Sequence, residues 1–153
     1  MDDTLAALLE REHHEIDAGI EAFASAPGAG STELLTRSMD ALRRHIYLEE
    51  RFLFPRLAEA GLIAPVFVMV REHGQMWRLM DELQPRLSDG GDAVLTGCGE
   101  LVAQLQAHNP KEEQILYPQA DTALREDAAT QLRTFIQAGH LPDGWVCEGA
   151  SRA

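Results

Sequence analysis

The chain has 153 residues, of which 45% are hydrophobic and 25% charged, and a formal net charge of −12 at pH 7. That length and apolar content suit one globular domain spanning residues 1–153. The acidity argues against nucleic acid, whose phosphates need a basic surface to displace counterions, and against anionic membranes. Cys98 and Cys147 form no CxxC, which argues against a disulfide framework or a thiolate zinc site. The N-terminus, Met1-Asp2-Asp3-Thr4, has neither the basic nor the apolar region of a secretory leader. No apolar run reaches bilayer-spanning length, so the expected location is the cytoplasm.

Hydrophobic periodicity near 3.6 dominates, with no alternating strand pattern, and predicts an all-α fold. A first helix over residues 3–23 carries Leu5, Leu8, Leu9, Ile16, Ile20 and Phe23, with His13 inside that row. Residues 26–30 break it, and Ser31 or Thr32 can cap a second helix over 32–60. The second stripe is Leu35, Met39, Leu42, His45, Ile46, Glu49, Phe52 and Leu53, and Pro55 should kink its end. A third helix over 63–87 shows Val66, Val70, His73, Trp77, Met80 and Leu83 on one side. A fourth over 92–117 shows Val94, Leu101, Leu105, His108, Glu112 and Leu116, and a shorter fifth covers 122–138. Past Gly139 the tail has no period and is expected either to dock by Trp145 or to stay loose. Four long helices with short connections specify an antiparallel up-down-up-down four-helix bundle over about 3–118, with the additional short C-terminal helix and tail in 119–153.

The chain repeats itself. His45-Ile46-Tyr47-Leu48-Glu49-Glu50-Arg51-Phe52-Leu53-Phe54-Pro55 returns as His108-Asn109-Pro110-Lys111-Glu112-Glu113-Gln114-Ile115-Leu116-Tyr117-Pro118, both reading His-x3-Glu-Glu-x2-Leu-aromatic-Pro. Arg11-Glu12-His13 is echoed by Arg71-Glu72-His73. Residues four apart on a helix share a face, so His45 points with Glu49 and His108 with Glu112. All four histidines lie in phase with the core stripes of four different helices. Facing inward, they bring four imidazoles and two carboxylates to one place, where unpaired carboxylates would be costly. A pair of cations removes that cost, each taking histidine nitrogens, with Glu49 and Glu112 able to bridge. Imidazole with carboxylate suits iron, manganese or zinc.

Glu50 and Glu113 fall beside the stripe and read as solvated groups or as carboxylates that orient a histidine. Phe54 and Tyr117 read as packing. His14 points about 100° away from His13 and reads as surface, and His140 lies beyond the bundle and reads as a non-ligand. Trp77 stands one turn from His73 and is expected beside the proposed metals.

The set His13, His45-x3-Glu49, His73 and His108-x3-Glu112 resembles the hemerythrin-like, HHE cation-binding family over about residues 5–118. The resemblance implies a four-helix bundle holding two iron ions (Fe2+/Fe3+) as an oxo- or hydroxo-bridged centre. His13, His45, His73 and His108 would then be terminal ligands, and Glu49 and Glu112 bridging ones. Oxygen-carrying members have His-x3-His on the third helix, where this chain has His73 and Trp77. One iron would thus have an open position for water or substrate, or take another side chain such as Asp17 or Glu21. Members with His-x4-carboxylate on the last helix suggest Glu113 as an alternative to Glu112, and Pro110, between His108 and Glu112, should kink or bulge the helix.

The family includes oxygen carriers, iron-responsive sensors and proteins that repair damaged iron centres. The chain is expected to be the bare domain, without the cysteine-bearing N-terminal extension of repair proteins. Binding or sensing of O2, NO or iron is one reading. A redox enzyme acting on peroxide, O2 or NO, or an iron-centre repair protein, is another. A bundle with merely structural histidines, or a zinc protein, completes the set.

Overall fold

The computed structural model describes residues 3–25 and 32–151, and every regular element among them is helical. The expected break at 26–30 and the Ser31 cap lie outside the described residues. Helix α1 spans Leu5–Ser25, α2 Thr32–Leu48, α3 Phe54–Glu59, α4 Ile63–Leu83 and α5 Asp92–Lys111. Shorter helices follow: α6 Ala120–Ala123, α7 Glu126–Ala138 and α8 Glu148–Ser151.

The two repeats each contain a wide turn that periodicity alone did not foresee. Glu49–Leu53 and Glu112–Leu116 are π-helical, closed by bonds from the Phe54 and Tyr117 amides to the Glu49 and Glu112 carbonyls. The cause is written at Pro55 and Pro118. A proline has no N–H to give the carbonyl four residues back and its ring crowds that carbonyl, so the ladder widens just upstream into a π-bulge. The anticipated kink at Pro55 therefore takes the form of a π-turn followed by a fresh helix. Pro110 lies within α5, which continues to Lys111. The predicted fifth helix is divided, with an extended Leu124 and Arg125 between α6 and α7.

Helix α1 packs against α2 and α5, and α5 against α4, while α4 also meets α2. This neighbour pattern is compatible with the bundle predicted from the sequence. The apolar residues form two clusters. One holds Ile16, Ile20, Phe23, Leu42, Ile46, Met76, Met80 and Leu105; the other holds Leu5, Leu9, Leu48, Leu53, Leu57, Met69 and Leu116. On each long helix a histidine falls where the chain passes from one cluster to the other: His13 between Leu9 and Ile16, His45 beside Ile46 and Leu48, His73 between Met69 and Met76, His108 between Leu105 and Leu116. A polar layer thus interrupts the core, sealed by hydrocarbon on both sides.

The tail is docked. Cys147 is fully buried, Trp145 packs on the first cluster, and α8 lies along α4.

Candidate metal centre

His13, His45, His73 and His108 are 1–3% exposed, and Glu49 and Glu112 are completely buried. Two sets of four side chains each bring one ligand-type atom within 4.8 Å of one another: His13, His45, Glu49 and Glu112, and Glu49, His73, His108 and Glu112. The two carboxylates belong to both sets. Glu112 Oε1 lies 3.0 Å from His13 Nε2 and 3.1 Å from His108 Nε2. Glu49 Oε2 is 3.5 Å from His45 Nε2, and Glu49 Oε1 is 3.1 Å from His73 Nε2. Even so, Glu49 Oε1 and Glu112 Oε2 make no aligned hydrogen bond. Two buried carboxylate oxygens left this way are costly unless a cation takes them.

The outward nitrogens are all braced by carboxylates. His45 Nδ1 is 2.8 Å from Glu12, His108 Nδ1 2.9 Å from Glu72, His73 Nδ1 2.7 Å from Glu50 and His13 Nδ1 3.2 Å from Glu113. A carboxylate only accepts, so each Nδ1 carries the shared proton and each Nε2 is directed to the centre. The pairing follows the duplication: Glu12 and Glu72 serve the next helix within their own half, while Glu50 and Glu113 cross to the other half. Arg44 backs Glu12 at 3.2 Å, and Lys111 pairs with Glu72.

The buried histidines and carboxylates shift one another's titration. Burial works against a charged His45, yet Glu49 and Glu12 override it and push its pKa up to about 10. His73 is likewise raised well above the ordinary value despite burial, by Glu112, Glu49 and Glu50, and His108 is raised mainly by Glu112. Burial alone would raise Glu112, but His108, His13 and His73 hold its carboxyl well below the usual range. Glu49 and Glu112 thus favour a proton on the inward nitrogens of His45, His73 and His108, which a cation would displace.

Glu112 rather than Glu113 faces the centre; Glu113 reaches His13 from outside. Asp17 accepts from the buried Asn109 amide at 3.0 and 3.2 Å, and Glu21 is exposed, so neither joins either set. Trp77, one turn from His73, is buried in the first apolar cluster, edge-on to Trp145 at 5.5 Å and under the Arg43 guanidinium. His14 and His140 are exposed.

Tyr117 requires a correction. Read from sequence as packing, it is fully buried with its hydroxyl inside the first set, 2.7 Å from His13 Nε2, 3.0 Å from His45 Nε2 and 3.4 Å from Glu112 Oε1. The hydroxyl donates to Glu49 Oε2 at 2.7 Å. Its repeat partner Phe54 does pack, stacking on His73 with ring centroids 5.4 Å apart. The halves therefore differ at the centre itself: one offers an extra oxygen, the other a phenyl face.

No described helix is long and apolar enough to cross a membrane. Residues 4–120 match the family described as the hemerythrin HHE cation binding domain. Among curated proteins, the iron-sulfur cluster repair protein YtfE of Musicola paradisiaca is 32% identical over 129 residues, covering 76% of this chain and 54% of that protein. YtfE of Dickeya chrysanthemi is 30% identical over 132 residues, with the same coverage. YtfE of an Escherichia coli strain is 28% identical over 103 residues, covering 60% of this chain and 47% of that protein. The chain thus spans about half the length of the curated relatives it matches. No solved structure matches. Both the matched span and the doubled His/Glu centre lead to one conclusion: the chain belongs to the hemerythrin HHE cation-binding family.

Proposed function

We propose that this chain is a non-heme di-iron protein whose centre binds or senses O2, NO or iron itself. His13 and His45 would hold one ion, His73 and His108 the other, and Glu49 and Glu112 would bridge them. The scaffold is a single-domain antiparallel four-helix bundle. The observation that carries this reading is that two buried four-residue sets share both carboxylates, whose remaining oxygens have no aligned donor. One set alone would need one ion; two sets joined through Glu49 and Glu112 suit a bridged pair.

Tyr117 would offer an oxygen to the first ion. Ligands about 2.1 Å from a metal and at right angles stand about 3.0 Å apart, and the hydroxyl lies 2.7–3.4 Å from all four atoms of that set. The second ion has Phe54 nearby in place of an oxygen. The His73/His108 ion would then have fewer protein donors and would be the one to accept a small ligand. Bound ferrous iron would supply redox chemistry toward O2 or NO. The protein's part is to fix four Nε2 atoms through their outer carboxylates, seal the layer with hydrocarbon, and hold the charge with Glu49 and Glu112.

A second reading, repair of iron–sulfur centres, is favoured by the relatives being iron-sulfur cluster repair proteins. One experiment separates the two. Chain loaded anaerobically with Fe2+ is exposed to NO or O2, and separately to an iron–sulfur protein whose cluster has been nitrosated. Stoichiometric, reversible spectral change with the diatomic supports binding or sensing. Recovery of the damaged cluster supports repair. An iron-loaded chain inert to both gases would remove O2 and NO from the first reading, and a chain that takes up no Fe2+ would remove the rest.

A further inference from the structure

The residues past the family-matched span contribute to the centre from outside it. The segment 139–151 has no helical period, yet it is held at several points. Trp145 crosses Tyr47 at 5.0 Å and Trp77 at 5.5 Å, both edge-on. Cys147 is fully buried in the first apolar cluster. Arg78 donates from Nη1 to the Gly149 carbonyl at 3.0 Å. Gly149 and Gly74 bring their backbones into direct contact. A Cβ on Gly74 would come 2.5 Å from the Gly149 carbonyl carbon, and one on Gly149 would run into the Val70 carbonyl oxygen. Gly74 directly follows His73, so α8 sits against the turn of α4 that carries a histidine of the centre.

One hydrogen bond converts this docking into a link. The Glu148 amide donates to Glu50 Oε1 at 3.1 Å, and the other oxygen of Glu50 holds His73 Nδ1 at 2.7 Å. Glu50 is 7% exposed at its side chain, so little water is available to replace that amide. Arg44 does the same for Glu12 and Lys111 for Glu72. At Glu50 the backing group is the tail's own backbone.

We propose that the C-terminal segment is a positioning element for the His73/His108 ion, acting from the Glu148 amide through Glu50 to the His73 ring. It rests on the two-metal reading above. Carboxylates that orient a metal-binding histidine typically change metal affinity 10–100-fold when lost. Displacing the tail should therefore weaken one ion more than the other, because the Glu148 amide and the Gly149 carbonyl bond Glu50 and Arg78, on the side of His73.

The test is an anaerobic Fe2+ titration of the full chain against a competing chelator, resolving two binding steps. In Gly149→Val the added side chain meets backbone and must push α8 away. The weaker step should loosen by about 10–100-fold while the tighter one stays within about twofold of the parent. Arg78→Ala removes only an exposed anchor and folds regardless; it should move the same step in the same direction by less. Glu50→Ala should match Gly149→Val, and the double variant should be no weaker than Glu50→Ala, since both act through one route. Equal loss at both steps in these variants, multiplying losses in the double variant, or a second step unchanged in Gly149→Val and Arg78→Ala would overturn the inference. A parent chain that takes up fewer than two ions would instead sink the two-metal reading.

Discussion

Replacing Tyr117 by Phe removes one oxygen and keeps the ring. Phe54 occupies the matching place in the other repeat and is 2% exposed, so a phenyl fits such a position and the cavity cost should be small. What is lost is the hydroxyl's bond to Glu49 Oε2 at 2.7 Å, in a residue with no solvent exposure. A hydrogen bond to a charged group contributes about 1.5–3 kcal/mol, and the deserted carboxylate oxygen has no water to turn to. For the metal-free protein we expect a loss of about 2–3 kcal/mol. In a domain of this size that lowers Tm by roughly 5–10 °C, measured by calorimetry in the presence of chelator. In the ferric protein the same variant should lose a visible phenolate-to-iron charge-transfer band, with His13 and His45 still binding. A Tm within about 1 °C of the parent, together with an unchanged visible spectrum, would refute the placement of Tyr117 in the centre.

Other consequences follow from the same geometry. Glu12→Ala and Glu72→Ala, which free His45 and His108 to rotate, should each weaken metal binding by about 10–100-fold, read by competition with a chelator. Arg44 donates to the Phe135, Ile136 and Gly139 carbonyls at 2.5–2.9 Å and lies over the Phe135 ring. Arg44→Ala should therefore cost about 2 kcal/mol in urea denaturation and detach α7, seen as hydrogen exchange confined to residues 126–138. The pH dependence of the metal-free chain has a defined sign. His45 has its pKa raised from 6.5 to about 10, so the stability it contributes is complete below pH 6.5 and fades as pH rises toward 10. Glu112, Glu12 and Glu72 are depressed below 4.5, so their contribution is present above pH 4.5 and fades on acidification. With chelator present, Tm should therefore be lower at pH 10 than at pH 6.5. Metal affinity should rise over that interval, because the ion displaces the imidazolium protons.

The six inward groups were legible because the duplication repeats them and because i and i+4 on a helix share a face. The outer carboxylates were half legible. Glu50 and Glu113 recur in the repeat, whereas Glu12 and Glu72 were visible only as an echo whose partners lie on other helices. Tyr117 was missed for a geometric reason. In an α-helix the fifth residue after Glu112 points roughly 140° away from it, which reads as packing. The π-turn closes Tyr117 N onto Glu112 O and sets the ring on the same side as the carboxylate. Pro118, one residue later, was the available sign that the ladder must widen there. Trp77, whose spacing from His73 marks it as a neighbour on the same face, belongs to the first apolar cluster with Trp145 and under Arg43. The docking of the tail carried no periodic trace at all, because it depends on Gly74 and Gly149 permitting close approach of two backbones.

The central claim is that Glu49 and Glu112 are shared by two metal ions. It is tested most directly by metal content after anaerobic loading with Fe2+, followed by admission of air and an optical spectrum. Two irons per chain are expected, with a bridged ferric pair whose charge-transfer bands disappear on reduction, falling to no bound iron in Glu49→Ala/Glu112→Ala. A single ion per chain, a colourless zinc protein, or two irons retained by that double variant would contradict it.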